Sequence, residues 1–130
     1  MSLVRHWPLV FVLQAGSPYA NRAAFWSIKH TVEAVGFATR SLHAHVPTFG
    51  EWGWHIGHIG RRPNFTHSMP AGLRYLDEDT LKAAGVFPLP LRAQETDLQV
   101  STRIDPWVMR LYQKGEPLSG DSLYPGSAER

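Results

Sequence analysis

The sequence predicts an α/β fold in which the chain supplies part of an open sheet, ordered strand, helix, strand, strand, with short helices after it. Three observations predict it. Leu9–Ala15 is a continuous apolar run, residues 20–35 repeat apolar side chains at helical spacing, and residues 37–59 alternate on either side of a Pro/Gly turn. A continuous run suits a parallel strand buried on both faces, whereas alternation suits a strand with one face on the core. Strand, helix and hairpin in that order read as the closing half of an open sheet rather than a whole one.

Each element has its own local grounds. Leu9–Ala15 is rich in β-branched and aromatic residues, and the longest apolar run in the chain is Leu9–Leu13 within it. It is far too short to cross a membrane. Arg5 before it and small residues after it resemble a signal peptide, but Pro8 opens the run and Gln14 closes it, so a strand is expected. Ser17-Pro18 suits a helix start, with serine as cap and proline at the first helical position. Ala24, Phe25, Ile28, Val32 and Val35 then form one stripe, and Gly36 is the stop. In the next segment Leu42, Ala44 and Val46 point one way and Ser41, His43 and His45 the other. Pro47–Gly50 is the turn. After it Trp52, Trp54 and Ile56 share a face, and Gly53, His55 and Gly57 share the opposite one, where glycines would let a helix or ligand approach the backbone.

Arg61-Arg62-Pro63-Asn64 ends the sheet, and residues 61–75 read as loop. Asp77 caps a short helix that runs to Ala84, with Gly85 past its end. Asp105-Pro106 opens a last helix bearing Ile104, Val108, Leu111 and Tyr112 at helical spacing, stopped by Gly115. The expected organisation is therefore an α/β part over 1–60, a loop and short helical extension over 61–115, and a loose Ser/Gly/Pro/charged tail over 116–130.

Composition excludes several classes. The chain has 130 residues, enough for one modest core, and its hydrophobic share of 43% with 18% charged is that of a globular chain. Net charge is +2, and basic residues never run longer than Arg61-Arg62, so nucleic acid is not an expected partner. There is no cysteine, which excludes disulfides and thiolate metal sites and suits a reducing compartment; the expected location is cytoplasmic.

His55-Ile-Gly-His58 spells the nucleotide-binding signature of class I aminoacyl-tRNA synthetases. It stands inside a strand pattern, however, and Gly60-Arg-Arg-Pro63 cannot open the helix that signature requires. His43, His45, His55, His58 and His67 invite a metal. His43 and His45 share a face, but His55 and His58 fall on opposite faces and no Asp or Cys completes a set, so ordinary sheet histidines are expected. No glycine-rich phosphate loop and no nucleophile elbow is present. Glu51 is the only carboxylate beside the turn, and one carboxylate cannot supply paired acid/base chemistry.

Gln14-Ala-Gly-Ser-Pro18 followed by Val46-Pro-Thr-Phe-Gly-Glu-Trp-Gly53, about a helix and a strand apart, resembles the C-terminal half of the spermidine synthase (polyamine aminopropyltransferase) family, in its long bacterial branch. Gly72-Leu-Arg-Tyr-Leu-Asp77 with Leu81, and Ile104-Asp-Pro-Trp107 with Leu111-Tyr112, add to the likeness, which covers residues 8–115. The resemblance implies a methyltransferase-like (Rossmann-like) fold. Leu9–Ala15 would be its fifth strand, and residues 37–59 its final hairpin, with the last strand antiparallel and inserted beside the fifth. It implies transfer of the aminopropyl group of decarboxylated S-adenosylmethionine, as co-substrate, to putrescine. The amine must be uncharged to attack, with an Asp as base or orienter. By the same resemblance Gln14 lines the diamine site, Pro47, Thr48 and the rest of the turn form its wall, and His43 stands where the family often has Tyr. Trp52 is placed to meet the diamine's methylenes.

The family's nucleoside loop, ribose-binding acid and catalytic Asp precede the Gln motif, and residues 1–7 cannot contain them. The expectation is a fragment that binds no cofactor alone, carries no catalytic residue, is inactive by itself, and pairs with the missing N-terminal half or with a second copy. The rival expectation is a non-catalytic protein-interaction module that has kept the sheet edge and the tryptophans.

Overall fold

The computed structural model describes residues 9–65 and 68–114. The expected tail over 116–130, the stop at Gly115, and His67 lie outside these residues. The sheet has three strands, β1 (Val10–Gln14), β2 (Phe37–Val46) and β3 (Gly50–Ile59), in the spatial order β1-β3-β2. β3 is antiparallel to both neighbours, so the last strand is inserted beside the first. The hairpin turns through residues 47–49, where the Phe49 N–H donates to the Val46 carbonyl at 2.9 Å. Gly50 re-enters the sheet at a φ of +80°, a conformation a side chain would strain.

Between β1 and β2 runs α1 (Arg22–Ala34). The Ser17 hydroxyl accepts from the Tyr19 and Ala20 N–H groups, so it caps as expected, but it caps a turn, and the helix proper begins at Arg22, past the first helical position expected at Pro18. Ala24, Phe25, Trp26 and Ser27 are buried. Val35, the last residue of the predicted stripe, is exposed because the helix has ended before it.

The face of the sheet under α1 carries the glycines and polar residues. Thr39 and Ser41 of β2 and Gly53, His55 and Gly57 of β3 are buried there. The absence of a side chain at Gly53 brings the Phe25 ring onto the backbone: a Cβ there would lie 2.2 Å from it. Cross-strand pairing sets Gln14 and Leu42 beside Trp54 on the other face, with Ala44 beside Trp52.

α2 (Glu78–Ala84) is capped by the Asp77 carboxylate, which accepts from the Thr80 N–H at 2.7 Å. α3 (Trp107–Lys114) starts one residue later than the Asp105-Pro106 pair predicts, and Ile104 is fully exposed rather than part of its apolar stripe. Between these helices the chain crosses α1. Phe87 and Leu91 complete a core with Ala15, Phe25 and Trp26, and the Trp26 indole N–H donates to the Leu91 carbonyl at 2.7 Å. Asp97 is 1% exposed, accepts from the Arg22 guanidinium at 3.2 Å and receives the Gln94 N–H at 2.8 Å. Its carbonyl receives the Ser27 hydroxyl at 2.7 Å.

β1 differs from the expected strand buried on both faces. It is an edge strand whose only partner among the described residues is β3, and Leu9, Val10, Val12 and Leu13 are exposed. Its apolar character is that of a central strand; nothing among the described residues covers its open edge. No helix among the described residues is long and apolar enough to cross a membrane.

Candidate functional site

Open sheets place ligands at the carboxyl ends of their strands. β1 ends at Gln14, and the β2–β3 turn lies at the same end, because Gln14 pairs with Trp54 and β3 runs from the turn past Trp52 to Trp54. Gln14 is exposed, Trp52 is half-buried, and both side chains leave the sheet on the face away from α1. Pro47 and Thr48 are exposed at the turn, which lies beyond Trp52 at the same end of the sheet. Phe49 extends the aromatic wall, its ring 6.3 Å from that of Trp52 in an edge-on arrangement. Gln14, Pro47, Thr48 and Trp52 are therefore brought to one end of the sheet.

His43 reaches the same end but the opposite face. It pairs with Gly53, its ring lies 4.4 Å from that of Phe87, and its Nε2–H donates to the Val86 carbonyl at 2.6 Å. Nδ1 faces the Glu51 carboxylate at 2.9 Å, and His45 Nδ1 lies 3.4 Å from the other Glu51 oxygen. Both His43 nitrogens thus face acceptors. Glu51 ties the two strands of the hairpin and, through His43, the segment at Val86.

His55 and His58 do fall on opposite faces. His55 is completely buried under α1. Its Nε2–H donates to the Phe25 carbonyl at 2.8 Å, leaving Nδ1 to accept the Ser41 hydroxyl at 2.9 Å. Burial pushes its pKa down to about 4, partly offset by the bond to Phe25, so the ring is neutral at pH 7. A histidine with both nitrogens consumed inside the core cannot touch a phosphate, which removes the synthetase reading of the motif. No group of three or more His, Cys, Asp or Glu among the described residues could hold a metal ion.

The sequence pattern missed two parts of this architecture. The Glu51–His43 contact joins residues eight apart, and only the hairpin register brings them together. Asp97 sits in a segment without periodicity, and its one available signal is Gln94 three residues earlier, the spacing of the capping box found there.

The chain is 42% identical over 91 residues to the polyamine aminopropyltransferase of Mycobacterium tuberculosis, covering 68% of this chain and 17% of that protein. It is 39% identical over 105 residues to polyamine aminopropyltransferase 1 of Streptomyces coelicolor, covering 78% and 19%. To the polyamine aminopropyltransferase of Corynebacterium efficiens it is 36% identical over 112 residues, covering 85% and 21%. No family model matches the chain, and no solved structure matches it. It spans between 17% and 21% of the length of these three curated relatives. Identity at this level over more than two thirds of the chain, in relatives from three genera, means that the chain belongs to the polyamine aminopropyltransferase (spermidine synthase) family.

Proposed function

We propose that this chain forms the diamine-facing wall of a spermidine synthase-like aminopropyltransferase, and that the nucleoside-binding half and the catalytic Asp come from further polypeptide. In the reaction, an amine nitrogen of putrescine attacks the methylene beside the sulfonium of decarboxylated S-adenosylmethionine. The N–C bond forms as the C–S bond breaks, the thioether departs, and a carboxylate takes the amine proton. The observation that carries the reading is that Gln14 and Trp52 share one face and one end of the sheet, beside the Pro47–Gly50 turn. The Gln14 amide oxygen can accept from the diamine's amine, and Trp52 offers an apolar and π-rich surface to its methylenes and distal ammonium. His43 fastens the hairpin behind this wall. No described residue near Gln14 supplies the base or a seat for the sulfonium, so the chain is inactive alone. The reading places the reaction in the cytoplasm.

The test is spermidine formation from labelled putrescine by the 130-residue chain, alone and with the N-terminal half of a relative. Transfer is expected only in the mixture. Gln14→Ala is expected to raise the KM for putrescine roughly tenfold while that for decarboxylated S-adenosylmethionine moves less than about twofold. Turnover by the chain alone, or equal losses toward both substrates, would overturn the proposal. The exposed apolar edge of β1 also suits a module that captures a protein partner by strand addition; that reading expects partner binding with no transfer in any mixture.

A further inference from the structure

We infer that the cavity between β2, the segment following β3 and α2 is a binding site for a small organic anion with an apolar or aromatic body. The cavity holds about 560 Å³, within the range of small-molecule sites. Three cations line it from three parts of the chain: Arg40 from β2, Arg62 from the loop after β3, and Lys82 from α2. One carboxylate, Glu78, faces them. None of the three cations is in an ion pair among the described residues, although Arg22, Lys29 and Arg110 each are.

Arg40 is half-buried, and its guanidinium lies 5.1 Å from the centre of the Phe65 ring. Stacking of this kind holds the guanidinium plane and leaves its N–H fork free for a two-point contact with a carboxylate or phosphate. Phe65 and Leu42 supply the apolar side of the same cavity. A half-buried guanidinium without a counter-ion among the described residues, beside two more cations, is stabilised by an anion, and the apolar wall favours an anion that carries a ring or chain.

The charge also separates this cavity from the diamine wall. Putrescine, spermidine and decarboxylated S-adenosylmethionine are all cations, and three cations against one carboxylate repel them. Arg40 pairs with Ile56, and Ile56 pairs with Val12 of β1. The cavity thus lies along the outer edge of β2, with Arg40 and Leu42 entering it from the face that Gln14 occupies and Ser41 also in its lining, two strand spacings from β1, or about 10 Å.

Calorimetric titration of the protein with phenyl phosphate, benzoate, inorganic phosphate and spermidine tests the inference. Saturable one-site binding of phenyl phosphate or benzoate supports it, and the tighter of the two identifies the headgroup. Inorganic phosphate is expected to bind at least about fivefold more weakly than phenyl phosphate, because it cannot use Phe65 and Leu42. Spermidine is expected not to compete. Lys82→Gln, at an exposed helix position, and Arg40→Gln are each expected to weaken binding by about five- to tenfold. Glu78→Gln is expected to tighten it by roughly two- to threefold, a gain that a misfolded variant cannot produce. No saturable binding of either aromatic anion at millimolar concentration would overturn the inference. So would affinities that Lys82→Gln and Glu78→Gln both leave unchanged.

Discussion

The ring of Phe25 occupies the volume that a side chain at residue 53 would need: a Cβ on Gly53 would meet its Cε2 at 2.2 Å and its Cζ at 2.9 Å. The contact is one of the points at which α1 touches the sheet's central strand, beside the bond from His55 to the Phe25 carbonyl. Gly53→Ala must therefore push the helix off the strand or drive Phe25 out of the core, where it is completely buried. A destabilisation of about 2–3 kcal/mol is expected from such overpacking, read as a lower urea midpoint at unchanged slope. Gly53→Ala combined with Phe25→Leu is expected to cost less than the sum of the two single changes, because the smaller side chain relieves the clash.

His55 should make stability fall on the acid side of neutrality. Its folded pKa, pushed down to about 4 by burial, lies below the ordinary value of 6.5. Below pH 6.5 the unfolded chain takes up a proton that the folded chain refuses, so stability falls with pH until the folded pKa is reached. The full loss across that window is about 3 kcal/mol, with no contribution above pH 6.5. Urea midpoints between pH 4 and 7 check it. The slope with pH is expected to flatten in His55→Gln, even though that variant is less stable at pH 7.

Asp97 holds the segment after α2 against α1. Asp97→Ala strips the buried acceptor from the Gln94 N–H and from Arg22. A loss of about 2–4 kcal/mol is expected. Amide exchange should speed up first at Leu91 and Ser101, whose N–H groups bond within this strap or to Thr31 of α1, and least in β3.

The apolar edge of β1 should make the isolated chain self-associate. Val12 is 65% exposed, and the strand's outer backbone groups have no partner among the described residues. Sedimentation at rising concentration is expected to show dimers or larger species that Val12→Lys suppresses. A monomer at all concentrations for both proteins would show that the edge is not sticky.

Much of the fold was legible because neighbouring residues specify it. The Pro47–Gly50 turn and the Asp77 cap each depend on a few adjacent side chains, and both are found as expected, whereas the run of β1 foretold a strand but not that it lies exposed at the edge. Residues 86–101 were not legible, because they form no repeating element: their order comes from single long-range bonds such as Trp26 to Leu91 and Ser27 to Asp97. Alternation in β2 showed which residues share a face but not which face α1 covers. That choice is made by the glycines opposite, which leave room for Phe25 only on the side bearing Ser41 and His55. For the same reason Gln14 and Trp52 come together while His43, at the same end, is turned away.

The central strand of this sheet is the last of the three to be made. β1 and β2 share no hydrogen bonds, and both wait for residues 50–59. During synthesis β1, α1 and β2 are therefore made before the strand that joins them, and the landing surface of α1 does not yet exist. The hairpin from Phe37 to Ile59, closed by a short turn, is the part that can form from local contacts, and docking of β1 and α1 follows it. A chain released before Ile59 would leave its most apolar strand unsheltered, so a stop codon in the hairpin is expected to yield aggregate rather than a smaller folded protein.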